Sequence, residues 1–130
     1  MSEFKVGSIM RKDALVLAPD TPIRRAVALL VEARSPAAAV IGDDDILVGI
    51  LTQKDCFRPA LRASYYQEWK GSVADHMTSE VVKVDLEDDV IHVAEMFLTY
   101  PHRVFPVQHG TALAGIVHRT DVLAFLTRIG

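Results

Sequence analysis

The chain has 130 residues, half of them hydrophobic, so it can bury one core or two small ones, and its composition argues against intrinsic disorder. Fourteen basic and seventeen acidic side chains give a formal net charge of -3, which disfavours nonspecific binding to nucleic acid. No apolar stretch approaches the roughly 20 residues that span a bilayer, and we expect no signal peptide because no apolar run follows residues 1–5. Because Cys56 is the single cysteine, no internal disulfide can form, and we expect a cytoplasmic protein that binds neither nucleic acid nor membrane.

An internal repeat organises the chain. Met10 aligns with Met77, and the same shift aligns residues 23–31 with residues 90–98. Both segments carry apolar residues at the i, i+3, i+4, i+7 and i+8 positions of an amphipathic helix. One repeat is too small to bury both faces of its strands and helices. We therefore expect two copies packed about a pseudo-twofold axis, with ligand clefts between them.

In chain order, each repeat predicts a helical turn, a strand, a helix, two further strands and a last helix. In the first repeat these elements are expected at residues 6–10, 14–17, 21 onwards, 37–41, 46–51 and 54–61. In the second repeat they are expected at residues 72–77, 81–84, 88 onwards, 104–107, 112–117 and 121–128. The predicted fold class is therefore α/β, of the α+β type, with two β-α-β-β-α repeats.

Cap residues mark the predicted helix starts. Thr21 is expected to cap the first amphipathic helix, with Pro22 at its first helical position. Asp88-Asp89 takes the same role in the second repeat, because a carboxylate is favourable near the positive helix end. Ser72 and Asp75 have the spacing of a capping box.

The repeat boundaries divide the chain into a first repeat at residues 1–62, a linker at residues 63–71 and a second repeat at residues 72–130. The linker is expected to continue the preceding helix. It carries three aromatic residues, which are Tyr65, Tyr66 and Trp69. We expect them to pack against the body or a second subunit rather than to stack on bases, because no basic cluster accompanies them.

Two corners, at residues 49–55 and 115–121, share one pattern of a glycine, an apolar run, a polar residue and an aspartate. Each corner is expected to be a strand that runs into a helix, with the aspartate in the first helical turn. The repeat order, the two methionines, Pro106-Val107 and both corners resemble the paired CBS domains of the Bateman module over nearly the whole chain.

The resemblance implies a regulatory module that binds an adenine nucleotide such as AMP, ADP or ATP, or a related adenosyl ligand. Such a module passes ligand occupancy to a partner protein, which the sequence does not identify, and it requires no cofactor. Some CBS pairs bind nothing known, so the function has to be argued from the site.

The first corner matches the family pattern in full, with Gly49, Ile50, Thr52 and Asp55. A carboxylate such as that of Asp55 can accept hydrogen bonds from both hydroxyls of a ribose, and a threonine hydroxyl beside free helix amides suits a phosphate. The same two residues also suit a plain helix cap, and the residues alone leave both interpretations open.

A cation is missing from this first corner. Nucleotide-binding members often carry a basic residue just before the second strand, where this chain has Ser35-Pro36. Lys54 either takes its place or is a solvated charge.

The second corner has the opposite pattern. His102-Arg103 precedes the strand and resembles the phosphate-contacting His-Arg pair in the regulatory gamma subunit of AMP-activated protein kinase. His118 replaces the usual serine or threonine, and its ring either fills the phosphate space or donates to the phosphate. The remaining predicted ligand-binding residues of this corner are Arg119, Thr120 and Asp121. The alternative is a solvated polar rim.

Two other chemistries are not supported by the sequence. His102, His118 and Asp121 lack the spacing of metal ligands, so no metal site is predicted. No phosphate-binding P-loop, nucleophile elbow or HExxH motif is present, so we do not expect an enzyme. Cys56 occupies the place of Val122 in the other repeat and is expected in the core.

The sequence leaves three functional hypotheses. The leading hypothesis is the nucleotide sensor, followed by an interaction or oligomerisation module with empty clefts, and then by an enzyme. A homodimer is expected because the helices after both corners carry apolar residues on more than one side. These are Cys56, Phe57, Leu61, Val122, Leu123, Phe125 and Leu126. The two sites are expected to be unequal, with ATP or ADP favouring the cleft that holds Arg103.

Overall fold

The structure is a computed structural model that describes residues 4–130. Its contacts divide the described chain into two compact units. One unit is the continuous segment Leu15–Val81, and the other combines residues 4–14 with Val82–Gly130. No helix within the described residues is long and apolar enough to cross a membrane.

The predicted order of elements is confirmed in both repeats. The first repeat contains β1 (Val16–Leu17), α1 (Ile23–Ala33), β2 (Ala37–Ile41), β3 (Leu47–Thr52) and α2 (Gln53–Tyr66). A short helix, α3 (Val73–His76), then leads into β4 (Val84–Asp85), α4 (Val90–Thr99), β5 (Val104–His109), β6 (Ala112–His118) and α5 (Arg119–Ile129). Single 3-10 turns lie at Val6–Ser8 and Asp43–Asp45.

Each unit contains one three-stranded sheet, in the orders β1-β2-β3 and β4-β5-β6. In both sheets the first pair of strands is parallel and the second pair is antiparallel. The register places Ala39 opposite Ile50 in one sheet and Pro106 opposite Ile116 in the other. Both sheets therefore present the end of their last strand, and the start of the helix that follows, in the same way.

The two cores show an exchange between the repeats. Val73, from the start of the second repeat, is fully buried among first-repeat residues such as Leu30 and Leu51. Val6, from the start of the chain, is fully buried among second-repeat residues such as Phe105. We call residues 4–14 and residues 72–81 the lead-in segments of the two repeats. Burial of a side chain such as Val6 or Val73 stabilises a fold by about 1.5–3 kcal/mol, so each lead-in segment contributes to the core of the other repeat.

Several predicted boundaries were wrong. β1 begins at Val16 rather than at residue 14, and β4 covers Val84–Asp85 rather than residues 81–84, because only these residues pair with β2 and β5. Pro22 occupies the N-cap of α1, so the helix begins at Ile23 and Thr21 does not cap it. The backbone of Thr21 instead accepts a hydrogen bond from Val73 N–H at 2.9 Å.

The predicted caps of α3 and α4 are confirmed, whereas α2 begins at Gln53 rather than residue 54 and α5 at Arg119 rather than residue 121. Asp89 is the N-cap of α4 and its carboxylate accepts from Ile91 N–H at 2.9 Å. Asp75 accepts from Ser72 N–H at 2.8 Å at the start of α3. Both carboxylates therefore satisfy amides that the first helical turn leaves without an intrahelical partner.

The three aromatic residues of the predicted linker differ in their burial. Trp69 packs against the core of its unit, as predicted. Tyr65 and Tyr66 are 78% and 72% exposed, so packing against the body is wrong for these two residues.

The apolar residues predicted for a dimer interface are partly buried in the core and partly exposed. Cys56, Val122 and Phe125 are buried, whereas Phe57, Leu61 and Leu123 are exposed.

Candidate functional site

The first corner is built by the direct passage of β3 into α2. Thr52 is the N-cap of α2, and its hydroxyl accepts a hydrogen bond from Asp55 N–H at 3.1 Å. In return, Asp55 Oδ2 accepts from Thr52 N–H at 3.0 Å. These reciprocal bonds form a capping box and fix both polar side chains at the helix start. Within residues 4–130 no other group donates to the Asp55 carboxylate, so its Oδ1 remains open.

The second corner repeats this geometry at the passage of β6 into α5. His118 is the N-cap, and Asp121 Oδ2 accepts from its N–H at 3.1 Å. Asp121 thus holds the position of Asp55, as the repeat predicted.

Arg11 binds the second aspartate, and the sequence interpretation missed it. Its Nε lies 3.0 Å from Asp121 Oδ2 and 3.3 Å from Oδ1, and its Nη2 lies 3.0 Å from Oδ1. The side chain of Arg11 is 48% exposed and that of Asp121 is 20% exposed. The guanidinium therefore grips both carboxylate oxygens in the fork geometry that arginine favours.

Backbone bonds fix the place of Arg11. Arg11 N–H donates to Ile116 O at 2.7 Å, and Ile116 N–H donates to Arg11 O at 2.9 Å. The same pair of bonds, both 2.9 Å, joins Thr78 to Ile50 in the other unit. Thr78 is therefore the structural counterpart of Arg11.

This crossing explains the glycine that opens each corner. A Cβ at Gly115 would lie 2.5 Å from Arg11 O, and a Cβ at Gly49 would lie 2.5 Å from Met77 Sδ and 3.0 Å from Thr78 O. The lead-in chain passes so close to the strand that only glycine leaves enough room.

The charges at the second corner affect one another. Partial burial alone would raise the pKa of Asp121, but the hydrogen bond from Arg11, the His118 N–H and the Arg11 charge together lower it. The hydrogen bond to Asp121 raises the pKa of Arg11 despite some burial. Burial lowers the pKa of His118, the nearby Arg11 charge lowers it further, and the Asp121 charge opposes both. His118 is therefore a neutral ring near pH 7.

Two cationic residues, one just before β5 and one at the start of α5, are neighbours in the backbone at the second corner. Val104 pairs with His118, and Arg119 N–H donates to Arg103 O at 2.9 Å, so Arg103 and Arg119 are brought together at the start of α5. Both arginines and Thr120 are exposed. The ring of His102 is half-buried and lies 5.7 Å from the Phe105 ring and 5.5 Å from the Tyr100 ring, measured between centroids.

The first corner lacks these cations. Gln53 N–H donates to Pro36 O at 2.9 Å, which is the counterpart of the bond from Arg119 to Arg103. Pro36 thus takes the place of Arg103, as the alignment predicted. Lys54 is exposed in the first turn of α2.

Two further features concern metal binding and thiol reactivity. Within residues 4–130, no group of three or more histidine, cysteine, aspartate or glutamate side chains is arranged to hold a metal ion. Cys56 is a buried core residue, as predicted, and its Sγ lies 3.4 Å from Thr52 O. Burial raises the pKa of its thiol to about 11, with a further contribution from the Asp55 charge, so the reactive thiolate is scarce at neutral pH.

Residues 6–61 and 73–128 each match the model of the CBS domain family. The chain belongs to the CBS domain family. The two matched stretches confirm the tandem repeat and, with the two three-stranded sheets, the predicted fold class.

Solved structures of CBS-pair proteins agree with this assignment. The crystal structure of CBSX2 in complex with AMP is 28% identical with a TM-score of 0.81, and the match covers 97% of this chain and 98% of that chain. A structure of CBSX2 from Arabidopsis thaliana is 26% identical with a TM-score of 0.85, and the match covers 98% and 97% of the two chains.

A curated relative, an uncharacterized protein of Methanocaldococcus jannaschii, is 25% identical over 137 aligned positions that include 97% of this chain. The chain spans 32% of the length of that relative, about a third.

Proposed function

We propose that this CBS pair is a regulatory module that binds an adenine nucleotide of the AMP, ADP or ATP type and passes its occupancy to a partner protein. The observation that carries the proposal is the Asp55 corner, where a carboxylate with one open oxygen stands beside a threonine hydroxyl at a helix N-terminus. The similarity to CBSX2, which has been crystallised with AMP, supports the adenosyl class of ligand.

The Asp55 corner has the groups that a nucleoside monophosphate needs. Asp55 Oδ1 can accept from one ribose hydroxyl, while Oδ2 has a further lone pair beside its bond to Thr52 N–H. The Thr52 oxygen already accepts from Asp55 N–H, so its own proton is free to be donated to a phosphate oxygen. Lys54, exposed in the first turn of α2, is proposed as the cation of this corner.

The second corner is proposed to contact the phosphates of a ligand. Arg103 and Arg119 are exposed at the start of α5, and a guanidinium can bind a phosphate through two parallel hydrogen bonds. The Thr120 hydroxyl, His102 and His118 are proposed as further contacts. Asp121 is proposed to bind the ribose, in competition with Arg11.

Other features of the proposal rest on the sequence and the family. We propose that the module has no catalytic activity of its own and requires no cofactor. We also propose that it works in the cytoplasm as a homodimer that controls a partner protein.

A second candidate is a CBS pair without a ligand, whose role is interaction or oligomerisation. Two observations favour it, since Arg11 occupies one carboxylate and Pro36 stands where the first corner would need a cation. An apolar groove between α1 and α2, lined by residues such as Val27, Val31 and Phe57, gives such a module a contact surface.

Equilibrium titration of the purified chain with AMP, ADP and ATP separates the two candidates. The sensor requires saturable binding of at least one nucleotide, with a loss of at least tenfold in affinity in Asp55→Asn or Asp121→Asn. Mass spectrometry of the native protein identifies any ligand that co-purifies. If no nucleotide binds at millimolar concentration, the sensor is rejected in favour of the interaction module.

A further inference from the structure

The two corners differ most at the residue that follows the lead-in methionine. Arg11 and Thr78 make the same backbone bonds to Ile116 and Ile50, but only Arg11 has a side chain that reaches the corner aspartate. The difference in access to the corner aspartate is therefore set by one residue on a common backbone.

Arg11 and a ribose diol would need the same acceptor atoms. At Asp121, Oδ2 receives Arg11 Nε and His118 N–H, and Oδ1 receives Arg11 Nη2. At Asp55, Thr52 N–H is the single donor among the residues that the structure describes. A ribose can approach Asp55 directly, whereas at Asp121 it must displace the guanidinium.

We propose that Arg11 is a specificity-determining residue that competes with the ribose at Asp121, so that the chain has one open and one guarded nucleoside corner. The inference rests on the proposed nucleotide-binding function and assigns the difference between its two sites. The backbone of Arg11 stays bound to Ile116, so opening the guarded corner requires only a rotation of the side chain.

The guard discriminates between ligands by their charge. Once displaced, Arg11 is a free cation at the corner where the backbones of Arg103 and Arg119 meet, and a phosphate can recruit it. Adenosine has no phosphate, so nothing compensates for the displacement of the Arg11 guanidinium from Asp121. The guarded corner thus selects phosphorylated ligands, while the open corner accepts the nucleoside as well.

The experiment titrates adenosine into variants that isolate the guarded corner. In an Asp55→Asn background, Arg11→Thr copies the residue of the other repeat and should raise adenosine affinity about tenfold, or about 1.4 kcal/mol. The gain should disappear when Asp121→Asn is added. Arg11→Lys keeps the charge but lacks the two-pronged guanidinium. Its adenosine affinity should therefore lie between that of the chain with Arg11 and that of the Arg11→Thr variant. The gain for ATP should be smaller than that for adenosine, because threonine cannot bind the phosphates.

Thr78→Arg, made in the chain that retains Asp55, supplies the reciprocal test. If the new arginine guards the open corner, adenosine binding should weaken about tenfold, or about 1.4 kcal/mol. An unchanged or weakened adenosine affinity in Arg11→Thr, with wild-type binding that still depends on Asp55, overturns the guard and leaves the proposed function intact. Absence of adenosine and nucleotide binding in the wild type and in every variant overturns both. Circular dichroism of each variant confirms that the comparison is made on folded protein.

Discussion

Arg11 and Asp121 are separated by 110 positions in the sequence, yet the guanidinium of one binds both carboxylate oxygens of the other. The contact exists because the lead-in segment lies against β6 of the second repeat through the paired bonds between Arg11 and Ile116. It links the start of the chain to the corner where a ligand is proposed to bind.

The stability contribution of this ion pair should be small and sensitive to salt. Arg11 is about half exposed, and exposed ion pairs contribute about 0–1 kcal/mol. Arg11→Met should lower the free energy of unfolding by no more than this amount at low salt, and the difference should shrink at about 1 M salt, where the Debye length is about 3 Å. Urea unfolding at both salt concentrations measures it. A large loss that persists in high salt would mean that Arg11 stabilises the fold by packing.

The same pair predicts a pH dependence at acid pH. The pKa of Asp121 is lowered in the folded chain, so its stabilising effect is present above the unfolded value of about 3.9 and is lost as the pH falls through the lower folded value. The stability difference between wild type and Arg11→Met should therefore be constant from about pH 5 to 8 and should begin to decrease as the pH falls below about 4. Arg11→Lys, which keeps the charge, is the matched control. Its stability relative to Arg11→Met should show part of the same pH dependence.

His118 predicts a second pH effect, closer to neutrality. Its folded pKa is lowered, so the unfolded chain binds the proton more readily. The contribution of His118 is thus fully present above the unfolded value of about 6.5 and is lost as the pH falls through the folded value. His118→Gln should flatten the fall in melting temperature between about pH 7.5 and 5. An equally steep fall in His118→Gln and in the wild type would contradict this assignment.

The two corner glycines should differ in their tolerance of alanine. A Cβ at Gly115 would meet the backbone oxygen of Arg11 at 2.5 Å, whereas the closest atom at Gly49 is the flexible Met77 Sδ. We expect Gly115→Ala to destabilise the fold by about 1–3 kcal/mol and Gly49→Ala to cost less, because a side chain can move away more easily than a backbone. Thermal unfolding of both variants checks this order, and a larger loss at Gly49 would contradict it.

A homodimer should form through the exposed apolar residues of the corner helices. Phe57 is 64% exposed, Leu61 is 54% exposed and Leu123 is 61% exposed, and Phe57 also lines the groove between α1 and α2. Light scattering should give a dimer at high micromolar concentration for the wild type and a monomer for Phe57→Asp. Ile46→Asp, in the turn before β3, is the control and should remain dimeric. A strictly monomeric wild-type chain would rule the dimer out.

The order and type of the elements could be predicted because they depend on local patterns. Apolar periodicity located α1 and α4, and the cap residues Ser72 and Asp89 located two helix starts. β1 and β4 were misplaced because two-residue strands are defined by their partners and carry little periodicity of their own. Pro22 was misplaced by one position because the chain around Thr21 is held by a bond from Val73, which lies far away in the sequence.

The residues of the candidate site could be predicted only in part. Thr52 and Asp55 follow from the corner pattern, and the aligned positions of Pro36 and Arg103 already indicated unequal cations. Arg11 was missed because its contact with Asp121 depends on the exchange of lead-in segments, which a periodic pattern does not reveal. The one available signal was the alignment of Arg11 with Thr78, since a charge stands opposite a small polar residue at a position that otherwise repeats.

Because the lead-in segments are exchanged, the two units can fold at different times during synthesis. The unit Leu15–Val81 is continuous, so all of its chain has been made once Val81 is available. The other unit needs residues 4–14 together with Val82–Gly130, and Val6 cannot find its neighbours Phe105 and Val117 until the last third of the chain exists. On a ribosome, where domains fold as their chain emerges, residues 4–14 must wait for Val82–Gly130. A nascent chain from which Val81 has already emerged should contain one folded unit, while residues 4–14 are still unfolded.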